Sequence, residues 1–171
     1  MNAYAGVIEG FYGIPLWDRG SRLSYPSWLR EHGFSFYIYA PKNDVFLRKQ
    51  WSDDWPESER RLLSEFREEC RINRIDFGIG FSPVIKDGSA EKKELAVRRA
   101  GEIDSLLHPE IFAFLADDIR FEERRLVFPV LLSLANIGLV TLLSHLLCLG
   151  KQFFGLVGIT LLSHHCGTYL A

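Results

Sequence analysis

The sequence predicts an α/β domain built on a parallel sheet, and three observations lead there. Short apolar runs rich in β-branched and aromatic residues recur, with ends near Ile8, Tyr39, Gly80 and Leu115, separated by 31, 41 and 35 residues. Segments with apolar residues at helical spacing lie between them. Each run is stopped by an unusual cluster, in turn EGFYG, APKND, FSP and ADDI. Strands that read as continuous apolar runs belong in parallel sheets covered by helices. A (β/α)8 barrel and a doubly wound open sheet both show this rhythm, and both place ligands at the C-terminal ends of their strands, where all four clusters fall.

The elements follow in order. Ala5 to Ile8 is a buried strand, ended by an acid, two glycines and two aromatics. Pro26 to Glu31 carries a short helical pattern that Gly33 caps. FSFYIYA is the second strand, ending near Tyr39 because Pro41 cannot donate to a sheet ladder. Pro56 opens a second helix with acids in its first turn; Leu62, Leu63, Phe66 and Cys70 form its buried stripe, and Arg71 and Arg74 stand where the helix dipole favours cations. IDFGIGF is the third strand, stopped at Ser82-Pro83. Ser89 starts a third helix with Leu95, Ala96, Ala100, Ile103 and Leu107 on its apolar face. EIFAFLADDI is the fourth strand, halted by two aspartates.

At 171 residues, 47% hydrophobic and 25% charged, the chain fits a single domain or a piece of a larger one and does not read as disordered or disulfide-stapled. A net charge of −2 keeps a general polyanion binder from being the first reading, so nucleic acid is not an expected partner. Cys70, Cys148 and Cys166 form no CxxC pair and the five histidines no HExxH, so neither metal nor cofactor is expected. No GxGxxG or P-loop follows any strand, which favours a sugar or other neutral ligand over a nucleotide. The opening MNAYAGVIEG has no basic n-region or apolar h-region, so a cytoplasmic chain is expected if the start codon is right. Every charged residue except Lys151 precedes Leu126, dividing the chain into 1–125 and an apolar segment, 126–171. Leu126 to Gly150 is long enough to span a bilayer, although Pro129, Asn136 and His145 interrupt it. A buried helix and strand, or a shifted reading frame, are the alternatives.

Asp117-Asp118 is the strongest candidate for chemistry. Two adjacent carboxylates at the end of a buried strand repel each other and face desolvation, which raises the pKa of one of them. The plainer alternative is a helix cap beside a solvated acid. Lys42, just after the second strand, could donate to a ligand hydroxyl or remain a solvated lysine. Glu9 and Gly10 share one layer of the first strand, where Gly lets backbone carbonyls approach a ligand. Phe11, Tyr12 and Trp17 offer stacking faces or simply pack.

Taken together, GVIEGFYGIPLW, YIYAPKND, GIGFSP and FLADDI, in this order and spacing, resemble the catalytic domain of the family-84 glycoside hydrolases, the β-N-acetylglucosaminidases of the O-GlcNAcase type, over roughly residues 4–120. The resemblance implies the N-terminal part of a TIM (β/α)8 barrel, about four to five βα units. It also implies retaining hydrolysis of terminal β-linked N-acetylglucosamine, in which the sugar's own acetamide attacks the anomeric carbon to form an oxazoline. The partner would be an N-acetylglucosamine-containing glycan or an O-GlcNAc-modified protein. On this resemblance Asp117 polarises the acetamide and Asp118 is the general acid and base, while Gly10 and Lys42 bind sugar hydroxyls and Tyr12 lies in the pocket wall.

The chain departs from the family pattern at Ala116, usually Phe, at Asn43, usually Asp, at Val84, usually Gly, and at Leu16, which is extra. The family's later pocket residues, among them a Tyr after Cys-Pro-Thr, have no counterpart. In one back-translation, Leu162-Ser163-His164-His165 read in a shifted frame encodes Cys-Pro-Thr, which motivates the frameshift reading. A partial barrel leaves open sheet edges through which copies could associate. It also leaves the activity of this chain in question, against a non-catalytic N-acetylhexosamine-binding or structural remnant or a membrane-tethered variant.

Overall fold

Four apolar runs lie side by side as parallel strands, in the order in which the chain makes them. The computed structural model describes residues 4–10, 17–85 and 89–115 and the backbone of 159–163. Tyr12, Asp117, Asp118 and the candidate span Leu126 to Gly150 lie outside the described residues. Among the described residues no helix is long and apolar enough to cross a membrane.

The strands are β1 (Gly6–Ile8), β2 (Phe36–Tyr39), β3 (Asp76–Phe81) and β4 (Ile111–Leu115). Helix α1 (Arg19–Glu31) joins β1 to β2, α2 (Glu57–Ile72) joins β2 to β3, and α3 (Ala90–Leu107) joins β3 to β4. Side chains alternate across the strands. Tyr37, Tyr39, Phe77, Ile79, Phe81, Phe112 and Phe114 share one core with Leu29 of α1, Leu63 and Phe66 of α2, and Ala96, Ala100 and Ile103 of α3. Ile38, Ala40, Ile111, Ala113 and Leu115 form a second cluster on the other face, with Ile8 and Phe36 against it. All three helices therefore cover one face of a sequentially ordered parallel sheet. A doubly wound sheet would carry helices on both faces and reverse its strand order. The winding is that of a TIM-barrel-like domain, present only as a portion.

The helices follow local chemistry. Helix α1 begins at Arg19, seven residues before the pattern that opens at Pro26, because Asp18 caps it: its Oδ1 accepts from the Ser21 amide at 3.0 Å. Its buried face is Arg22, Pro26 and Leu29. A cation and a mid-helix proline on the inward face hide the apolar period, and Pro26 also withholds the N–H that the Arg22 carbonyl would receive. Gly33 adopts a φ of +78°, the left-handed conformation expected after this helix. Pro56 precedes α2, whose Leu63, Phe66 and Cys70 are buried. Ser89 caps α3 by accepting from the Lys92 amide.

A fifth strand, β5 (Ile159–Ser163), pairs with β4 in the antiparallel sense, Leu115 opposite Ile159 and Ile111 opposite Ser163. It is not the parallel strand that a further βα unit would supply. Antiparallel pairing meets the backbone groups along this edge of β4 equally well and needs no right-handed crossover.

The inner face holds small residues near the C-terminal strand ends, where Ala40 and Gly80 lie. A Cβ on Gly80 would stand 2.5 Å from Ala40 Cβ and 2.8 Å from Leu115 Cδ1, so only glycine allows this approach. Gly80→Ala is expected to cost about 1–3 kcal/mol through overpacking. Gly101→Ala in α3, where a Cβ meets nothing within 4 Å, should stabilise by about 0.5–1 kcal/mol. Urea unfolding midpoints of the two variants check both signs.

Candidate active site

Parallel pairing brings the four strand ends to one side of the sheet. Gly10 lies two residues past the end of β1 and is exposed, and a Cβ there would meet no described atom within 4 Å. The Ile8–Ile38 pairing sets Gly10 beside the end of β2, from which Pro41 and the half-buried Lys42 continue. Strand β4 brings the chain to the same end at Leu115, two residues before Asp117. Gly10 and Lys42 thus share one end of the sheet, while Asp117, Asp118 and Tyr12 are outside the described residues.

Glu9 does not share the ligand layer with Gly10. Strand alternation turns its side chain to the helix face, where it is 2% exposed. There Arg22, also 2% exposed, donates to both its oxygens, Nη1 to Oε2 at 2.8 Å and Nη2 to Oε1 at 3.0 Å. The Tyr37 hydroxyl donates to the same carboxylate. The guanidinium lies 4.8 Å from the Tyr39 ring centroid and 5.6 Å from that of Phe66. Burial works against the charged Arg22, but the hydrogen bonds and charge of Glu9 outweigh it and raise its pKa. Trp17 packs edge-on against Tyr25 at 4.7 Å, with the Arg22 guanidinium 5.8 Å from its ring centroid.

A second buried carboxylate organises the loop after β2. The amide of Asp44 donates to the Pro41 carbonyl at 3.0 Å, closing a turn with Lys42 and Asn43 at its centre. Asp44 Oδ1 accepts from the amides of Phe46 at 2.9 Å and Leu47 at 3.3 Å, capping the single 3-10 turn Val45–Leu47. Its Oδ2 accepts from the Tyr39 hydroxyl at 3.0 Å and from Trp55 Nε1 at 2.9 Å. Arg48 Nη1 reaches back to the Lys42 carbonyl at 3.3 Å. The loop after β3 is tied on as well: Ser82 and Val84 donate to the carbonyls of Leu47 and Arg48, and Trp51 donates to the Val84 carbonyl. Arg99 of α3 lies over the Trp55 ring and donates to the Asp53 carbonyl.

Neither Arg22 nor Asp44 stands out in the sequence. The available signals are a lone acid ending an apolar strand beside a lone cation on an otherwise buried helical stripe, and an aspartate immediately before a short helical turn. Burial raises the Asp44 carboxyl above its ordinary value, and its four donors offset only some of that cost. The Tyr39 hydroxyl is raised by burial and then by the Asp44 charge, and it stays a protonated donor.

Arg22→Ala leaves a buried carboxylate uncompensated and should cost about 3–5 kcal/mol, whereas the double variant Glu9→Leu with Arg22→Met should recover most of that loss; chemical denaturation of the three proteins measures it. The folded protein binds the Asp44 proton more tightly than the unfolded chain does. This contribution to stability is complete below the unfolded carboxyl's pKa and is lost as pH rises through the raised folded value. Asp44→Asn should therefore flatten the stability profile above about pH 4, the ordinary aspartate value.

Comparison with known proteins agrees with this winding and with the motifs. A family model described as beta-N-acetylglucosaminidase matches residues 5–126. Protein O-GlcNAcase of Rattus norvegicus and that of Mus musculus are each 31% identical to the chain over 115 residues, 67% of this chain and 12% of theirs. The structure of CpGH84B superposes with a TM-score of 0.70 at 28% identity, covering 80% of this chain and 25% of its own. A mutant O-GlcNAc hydrolase of Thermobaculum terrenum gives a TM-score of 0.59 at 27% identity, over 78% of this chain and 32% of its own. The chain thus spans a small share of the length of the relatives it matches. On the family match and the shared fold, it belongs to the beta-N-acetylglucosaminidases of glycoside hydrolase family 84, as an N-terminal fragment.

Proposed function

We propose that the chain carries the acid–base and some of the sugar-binding apparatus of a retaining β-N-acetylglucosaminidase acting on O-GlcNAc-modified protein or a related glycan. One observation supports this reading most: the family match runs through 126, past Asp117-Asp118, on a sheet whose β1, β2 and β4 all lead toward one end. The relatives' names, O-GlcNAcase and O-GlcNAc hydrolase, supply the substrate class.

In the proposed route Asp117, ionised, accepts from the acetamide N–H and makes the carbonyl oxygen more nucleophilic. That oxygen attacks the anomeric carbon as the glycosidic C–O bond breaks, and Asp118 gives its proton to the departing oxygen. Asp118 then takes a proton from water as the water opens the oxazoline, and two inversions give retention. The usual arrangement of enzymic nucleophile and acid is replaced because the substrate supplies its own nucleophile. Two adjacent acids suit the task, since a charged neighbour keeps the second one protonated. Lys42 and the backbone at Gly10 hold sugar hydroxyls, and Tyr12 contributes to the wall. The route needs no metal or cofactor.

Hydrolysis of 4-nitrophenyl N-acetyl-β-glucosaminide tests it. Asp118→Asn should lower kcat by about 10²–10⁴-fold, the scale of general acid catalysis. Replacing the acetyl group by trifluoroacetyl should slow turnover, because a less basic carbonyl attacks less readily. Equal rates for the two substrates would sink the proposed nucleophile, and sugar binding without turnover would restrict the chain to the binding role.

A further inference from the structure

We infer that Asp44 is a positioning residue for Lys42, holding the turn that carries it so that a sugar meets a lysine whose backbone is already fixed. The inference rests on the amino-sugar reading above and adds a residue to it. Lys42 occupies the second position of the Pro41–Asp44 turn, and the turn is held at three points. The Asp44 amide closes it on Pro41. The Asp44 side chain caps the following 3-10 turn, which fixes where Arg48 emerges. Arg48 then donates to the Lys42 carbonyl at 3.3 Å. The same carboxylate is tied to β2 through Tyr39 and to the approach of α2 through Trp55, so the turn takes its place from the core.

At 3% exposure Asp44 contributes its charge to the interior and not to a ligand, and its effect is exerted through the backbone of its neighbours. Immobilising a ligand-contacting residue before binding removes an ordering cost from the association. An ordinary core acid would contribute only to stability, and loss of affinity would then track loss of stability in every variant.

The test is a titration of the chain with N-acetyl-D-glucosamine, followed by the side-chain NMR signal of Lys42, identified by its disappearance in Lys42→Met. In the wild type this signal moves with the sugar. Asp44→Ala and Arg48→Met weaken the Kd read there by about tenfold or more, the scale of a displaced positioning contact. Trp55→Phe removes one donor from the same carboxylate while keeping both backbone amides capped, so it lowers the unfolding midpoint yet leaves Kd near the wild-type value. Should Asp44→Ala not fold, Arg48→Met carries the comparison, since its bond to the turn lies outside the core. An unchanged Kd in the folded variants, or an equal loss in Trp55→Phe, overturns the positioning role. A wild-type Lys42 signal that ignores the sugar overturns the amino-sugar reading itself, and the role of Asp44 with it.

Discussion

The enclosed pairing of Glu9 with Arg22 is the constraint around which the described structure is arranged. Two charges removed from water are costly unless each meets the other with good geometry. The carboxylate belongs to the end of β1 and the guanidinium to the first half of α1, so strand and helix dock in the one register that makes two parallel hydrogen bonds. Tyr37 adds a third donor from β2. The flat cation then lies against Tyr39 and Phe66, which carries the same contact to α2. Four elements meet at one group, and the strand ends beside it inherit their spacing from it.

The second buried acid has a comparable role at the next strand. Asp44 gathers onto one carboxylate a phenol from the end of β2, two amides of the following 3-10 turn and an indole from the approach to α2. Irregular backbone has no ladder to satisfy it, so a side chain must. The loop is therefore ordered without belonging to a helix or strand, which is the condition a binding loop needs.

Much of this is legible in the amino-acid sequence. The ends of β1, β2 and β4 fall at Ile8, Tyr39 and Leu115, as the apolar runs indicate, and β3 extends one residue further to Phe81. Buried parallel strands are apolar on both faces, so periodicity leaves little ambiguity there. Helix α1 is half hidden because its inward stripe carries Arg22 and Pro26. The choice between barrel and open sheet is not readable from rhythm, because both repeat alike; the single-sided placement of Leu29, Leu63 and Ile103 is what fits a partial TIM-barrel-like domain. Gly10 and Lys42 are singled out through motif resemblance and stand at one end of the sheet. Sequence places Glu9 in the ligand layer because the facing of a residue at a strand end is ambiguous there, and only the presence of Arg22 across the helix face resolves it.

The segregation of the two faces has an evolutionary consequence. Shape is set on the helix side, by the Glu9–Arg22 salt bridge and edge-on aromatics, whereas exposed positions at the strand ends, such as Gly10 and Asn43, lie off that core. Substitutions at such exposed positions can therefore accumulate without disturbing the scaffold. A lineage built on this plan is free to vary the rim while its folding determinants stay under separate selection.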